Sequence, residues 1–173
     1  MSHIPRVLGQ SQGHAVVMEL TLPYQNKGRN VTMDNFFSDA DLADKLLQRK
    51  TTIVVTVRRN KRFLPNEFLA KKKLKLNDSL FGFSDNKCIL SYQGHKNKNV
   101  ILLSTMHTQP VILPGEKRKS EIVMYYNSTK GGRCGLCHWK VNKKGTVKCH
   151  KCCNFLCKDH VAKSVAYCEN CDT

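Results

Sequence analysis

Four metal-ligand pairs, each with two residues between its members, crowd the last forty positions of the chain and constrain its fold more than anything else in it. They are Cys134-x2-Cys137, Cys149-x2-Cys152, Cys157-x2-His160 and Cys168-x2-Cys171, with eleven, four and seven residues between successive pairs. A two-residue gap lets one tight turn aim both side chains at a single ion, and thiolate and imidazole are the donors that zinc takes at about 2.0–2.3 Å. Eight ligands make two tetrahedral sites. A segment this short cannot bury a stable core unaided, so metal binding has to supply its folding energy. Paired spacing without a secretory signal reads as reduced thiolates on metal rather than as a disulfide framework. The pairs can be joined consecutively or in a cross-brace, and their tight interleaving favours the cross-brace. Cys134, Cys137, Cys157 and His160 would then hold one ion, and Cys149, Cys152, Cys168 and Cys171 the other. Cys153 is left over, and Cys88 stands far from the group. The order of cysteine and histidine fits neither a RING nor a PHD finger.

The rest of the chain reads as an α/β domain. Val31–Met33 is a short strand. Ser38, with Asp41 three residues on, reads as a capping box. It opens a helix that carries Leu42, Ala43, Leu46 and Leu47 on one face and stops near Arg49 and Lys50. Thr51–Val57 is β-branched and continuous, the pattern of a strand buried on both faces. Strand-like runs follow at Phe81–Ser84, Cys88–Tyr92 and Val100–Thr105, separated by turn residues, which makes a β-meander. Ile122–Tyr126 reads as a last short strand. Gly13–Leu22 fits a helix or a strand equally, and Pro23 ends it. The domain boundary falls between residue 132 and residue 133.

Charge narrows the function. Lys and Arg number 29 against 13 Asp and Glu, a formal net charge of +16. An excess this large favours a polyanionic partner, nucleic acid first. Residues 58–75 hold eight basic side chains against Glu67 alone, a net +7. Arg58, Arg59, Lys61, Arg62, Lys71, Lys72 and Lys73 are the phosphate-contact candidates there, with Lys140, Lys143 and Lys144 in the tail. The runs at 58–62 and 71–75 also fit a nuclear localisation signal. The longest apolar run is five residues, Ile122–Tyr126, too short for a membrane span or a signal-peptide core. No membrane partner is expected.

The strings VTMDNFFSDADLADKLL (31–47), TTIVVTVRRNKRFLPNEF (51–68) and EIVMYYNSTKGG (121–132), followed by the eight-ligand tail, resemble the piggyBac transposase family in the family's own order. The resemblance spans about Leu8 to Cys171. It implies a partial RNase H-like DDE domain with a β-rich insertion over residues 1–132, then a two-zinc cross-brace finger over 133–173. In such transposases three carboxylates hold two Mg2+ ions that clamp the attacking and leaving oxygens of DNA strand transfer. Asp34 in TMDNFFS matches the second of the three. The first would fall before Met1. The third follows the TKGG motif in a GGVD-like string, whereas here Gly132 runs into Arg133-Cys134. The expectation is a nuclear, DNA-binding, transposase-derived protein with two Zn2+ ions. It would not be an enzyme, Mg2+ would not support catalysis, and Asp34 would be vestigial. Two alternatives stand beside it: a zinc-dependent module that binds a protein partner or a second copy of the chain, and a truncated relic.

Overall fold

The computed structural model describes residues 12–69, 74–96, 98–129, 131–138, 141, 143–149 and 154–161. The chain divides into two compact units, Met1–Tyr126 and Asn127–Thr173.

The first unit is built around one five-stranded mixed sheet. Strand β1 (Asn30–Met33) lies parallel to β2 (Thr52–Thr56), and the meander β3 (Ser79–Ser84), β4 (Lys87–His95) and β5 (Lys98–Ser104) joins the same sheet through β5. The order is β1-β2-β5-β4-β3, with every pairing but the first antiparallel. The parallel pair needs a crossover, and α2 (Ala40–Gln48) supplies it. The meander is therefore continuous with the sheet of the strand–helix–strand unit, and β1 keeps one open edge among the described residues.

Strand β2 explains its own sequence. Ile53 and Val55 face a cluster with Val17 of α1 (Gln12–Thr21), Leu42, Ala43 and Leu46 of α2, and Ile101 and Leu103 of β5. Val54 faces the opposite cluster, with Leu90 and Tyr92 of β4, Leu102 of β5, and Ile122, Val123 and Tyr126. A strand covered on both faces has no polar side, which is why 52–56 reads as an unbroken apolar and β-branched run.

Two local expectations need correction. Ile122–Tyr126 belongs to a helix, α4 (Glu121–Thr129), not to a strand. Ser120 Oγ accepts the Val123 N–H at 3.3 Å, and Glu121 supplies first-turn negative charge. Ile122, Val123 and Tyr126 then fall on one buried face at helical spacing. The cap of α2 is Asp39 rather than Ser38: Asp39 Oδ1 accepts the N–H groups of Asp41 and Leu42 at 2.9 and 3.3 Å. Ser38 Oγ donates instead to the Asn35 carbonyl, and Asp41 pairs with Lys45 at 2.8 Å one turn on. The stop of α2 is steric as well as electrostatic. Lys50 takes a left-handed φ of 51°, and the N–H groups of Lys50 and Thr51 close back on Leu47 and Leu46. That is a Schellman ending without the usual glycine. The ambiguous segment 13–22 resolves as α1, and Pro23 sits in the short 3-10 turn that follows it.

Among its described residues the second unit has little regular structure. Strand β6 (Gly132–Arg133) pairs with β7 (Lys144–Gly145), and β8 (Val147–Lys148) with β9 (Phe155–Leu156). Leu156 and Cys149 are its buried centre, with Leu136 and Val161 packed beside them. Close approach explains two glycines. A Cβ on Gly145 would lie 1.7 Å from the Leu156 carbonyl oxygen, and one on Gly132 would lie 2.1 Å from the Phe155 ring.

Candidate functional site

The ligand pairs are brought together by turns. Cys134 leaves β6 with its N–H bonded to the Lys143 carbonyl at 2.9 Å, and the Gly135 N–H is held by the Phe155 carbonyl at 2.8 Å. Cys137 follows on the same turn. After β9, Cys157 opens a 3-10 turn, Lys158–His160, and the His160 N–H returns to the Cys157 carbonyl. Residues three apart eclipse in a 3-10 turn, so Cys157 and His160 present their donors to one point.

The Sγ atoms of Cys134, Cys137 and Cys157 and an imidazole nitrogen of His160 lie within 4.8 Å of one another. His160 Nδ1 is 3.3 Å from Cys134 Sγ, 3.5 Å from Cys137 Sγ and 3.3 Å from Cys157 Sγ. Cys137 Sγ and Cys157 Sγ are 3.7 Å apart. A tetrahedron with Zn–S of about 2.3 Å and Zn–N of about 2.0 Å has S···S edges of about 3.8 Å and S···N edges of about 3.5 Å. These four edges match a tetrahedron of that size, and this cluster of three cysteines and one histidine can bind a metal ion. The first and third pairs meet, which is the cross-brace alternative and not the consecutive one.

The thiols do not ionise alike. Burial raises Cys134, but backbone N–H donors at Cys157, Leu136 and Cys137 and the His160 ring outweigh it and bring the thiol down to about 6. Burial and the neighbouring thiols of Cys157 and Cys134 push Cys137 up to about 11. Beside the cluster, Lys143 bonds Asp159, which holds that carboxyl below its usual range and raises the lysine.

Of the second ligand set, Cys149 is described and buried, and its N–H is bonded to the Asn154 carbonyl. Cys152, Cys168 and Cys171 lie outside the described residues, as do Lys71, Lys72, Lys73 and Lys140.

Asp34 stands at the C-terminal end of β1, level with the end of the parallel β2, the edge at which open α/β sheets place their sites. Its Oδ1 accepts the Asn35 N–H at 2.7 Å and the Thr56 hydroxyl at 3.0 Å. Thr56 Oγ1 lies 3.3 Å from Tyr126 Oη. Arg58 Nε donates to Asn35 Oδ1 at 2.9 Å, and its guanidinium lies over the Phe36 ring. Thr56, Asn35 and Tyr126 went unread in the sequence, although Asn35 sits inside the motif that marks Asp34. Among the described residues the groups able to hold a metal are the cysteine–histidine cluster and His14 with Asp39 and Asp41, and Asp34 belongs to neither.

The basic candidates separate in the structure. Arg58 and Arg62 are exposed and Lys61 is half-buried. Arg59 is half-buried and bonded to Asn99. Lys143 is tied to Asp159, whereas Lys144 is exposed on β7. No helix among the described residues is long and apolar enough to cross a membrane.

The Transposase IS4 family model, of the DDE type, matches residues 3–143. A cryo-EM structure of a piggyBac transposase synaptic complex with hairpin DNA shares the fold, with a TM-score of 0.65 at 20% sequence identity. The likeness covers 96% of this chain and 58% of that one, so the chain spans little more than half the length of the transposase it matches. No curated protein sequence matches.

Proposed function

We propose that this chain, which belongs to the Transposase IS4 family and has the fold of a piggyBac transposase, is a DNA-binding member of that family without strand-transfer activity of its own. The observation that carries the reading is the tetrahedron of three cysteines and one histidine: a site sized for zinc, in a basic chain of transposase descent. Zinc is the ion we assign to it, and a second zinc is assigned to Cys149, Cys152, Cys168 and Cys171. The related transposase was captured in a synaptic complex with hairpin DNA, which supports nucleic acid as the partner here. We place the protein in the nucleus on that account.

The zinc charge limits how the second unit attracts DNA. Residues 133–173 carry eight basic side chains and three acids, a net +5. A loaded site of three cysteines and one histidine carries about −1 and a four-cysteine site about −2, which leaves about +2. Attraction then depends on where the exposed cations sit, and Lys144 is placed for it. The basic turn after β2, with Arg58 and Arg62, would add phosphate contacts that carry no sequence information.

The absence of strand transfer is argued from carboxylates. A two-metal site clamps the attacking and leaving oxygens between ions that repel each other and need several carboxylates to hold them. Asp34 spends Oδ1 on Asn35 and Thr56. Asp39 caps α2, Asp41 pairs with Lys45 and Asp44 with Lys87. The position after the TKGG motif is Arg133.

The test is DNA binding by the zinc-loaded chain across a salt series, with and without a chelator. Sequence-selective binding lost on chelation is the expected result. Binding that fades with salt and ignores the chelator would leave only a basic surface. Incorporation of DNA ends with Mg2+, abolished by Asp34→Ala, would overturn the reading of the strand-end site.

A further inference from the structure

Toward the opposite end of β2 from the strand-end site lies a buried histidine that neither the metal cluster nor DNA binding uses. His107 follows β5 in the segment that leads to α4, and it is almost fully buried. Its Nδ1 is 2.8 Å from Ser104 Oγ. That hydroxyl oxygen already accepts the N–H groups of Met106 and His107 at 3.1 and 3.2 Å. A serine has two acceptor positions and one proton, so Ser104 has its proton left to give to Nδ1. The ring is then the neutral tautomer with its proton on Nε2, an atom buried without a hydrogen-bond partner among the described residues. The ring stands edge-on to Tyr125 of α4, with centroids 5.6 Å apart. The neighbouring Tyr126 reaches Thr56 Oγ1, which donates to Asp34. Thr105, also in this turn, takes the Ile53 N–H of β2.

A second proton can enter only at Nδ1, where the Ser104 hydroxyl proton already points. Protonation would turn that hydroxyl away, cost it one of its two amide partners and leave a charge beside Tyr125. We propose that the Ser104–His107 turn is an acid-sensitive latch for α4: a proton on His107 opens the turn, unseats α4 from the sheet and loosens Tyr126 from Thr56 beside Asp34. The groups facing the ring are the Ser104 hydroxyl on β5 and, on α4, the Tyr125 ring and the Glu121 carboxylate. Burial holds the imidazole below its ordinary value, and the Glu121 charge only partly offsets this. A group whose folded value is depressed in this way binds its proton more readily when released. The latch is therefore closed above about pH 6.5 and weakens as the pH falls below it.

Hydrogen exchange of the full chain, resolved to peptides and corrected for the intrinsic rate, tests this between about pH 7.5 and about pH 5.5, across the ordinary histidine range. In the wild type, protection of 121–126 should be lost toward the acid end. In His107→Gln, whose amide keeps a partner for Ser104 but takes up no proton, that loss should disappear. Acid release of metal from the cysteine cluster affects both proteins and cancels in the comparison. The same loss in both proteins would overturn the latch. If His107→Gln does not fold, NMR titration of the wild-type ring decides. A ring value below the ordinary range, with α4 resonances shifting in step, is expected; a ring that titrates at its ordinary value, or without α4, would contradict the proposal.

Discussion

The two units solve the same problem with different materials. In the first, eleven buried apolar residues line one face of the sheet and eight the other, so burial alone orders the chain. In the second, the described buried centre is Cys149 and Leu156 with two half-buried neighbours. On the proposed function, a metal ion held by the three thiols and one imidazole adds to that burial in offsetting the entropy of ordering the turns. The same contrast separates their chemistry. At the strand end of the first unit, Asp34 accepts the Asn35 N–H and the Thr56 hydroxyl. The donors of the second unit converge on a point with metal-site spacing.

The largest effect that would break this comparison is loss of the metal. Structural zinc contributes about 10–16 kcal/mol of apparent folding free energy in zinc-finger peptides at neutral pH. Cys157→Ser should therefore unfold the second unit and release its bound zinc, read by native mass spectrometry, while the urea midpoint of the first unit stays in place. In the first unit the matching substitution is Leu46→Ala. Leu46 is fully buried between α2 and the sheet, and its truncation should cost about 2–5 kcal/mol in urea unfolding without changing zinc content. Asp39→Ala removes the cap of α2 and should cost about 1 kcal/mol in the same assay. The smallest effect sharpens the charge argument. Lys144→Ala should leave stability alone and reduce the salt slope of DNA binding by about 1, and Lys143→Ala, already neutralised by Asp159, should reduce it less.

Much of this was legible because some sequence patterns have one physical solution. The C-x2-C and C-x2-H spacings admit little besides a metal site, and the grouping of Cys134 and Cys137 with Cys157 and His160 follows once β9 returns beside β6. The run 51–57 could only be a strand covered on both faces. The helix α4 was not legible as such. Ile-Val-Met-Tyr-Tyr is β-rich by propensity, and the deciding information is a serine cap one residue before Glu121 together with a sheet face that needs cover. The cap of α2 slipped by one because Ser38 and Asp39 are both good caps, and the Asn35 carbonyl engages the serine first. The strand-end site was half legible. The motif marked Asp34, but Thr56 and Tyr126 reach it from 22 and 70 positions away along the chain, a distance no local pattern spans.

The most direct measurement is hydrogen exchange of the full, zinc-loaded chain before and after a strong chelator at neutral pH. The account predicts that protection over 131–137 and 143–149 collapses while 42–56 and 98–104 keep theirs. Retained protection in the first two segments, or its loss in all four, would contradict the division between a metal-held unit and a core-held one.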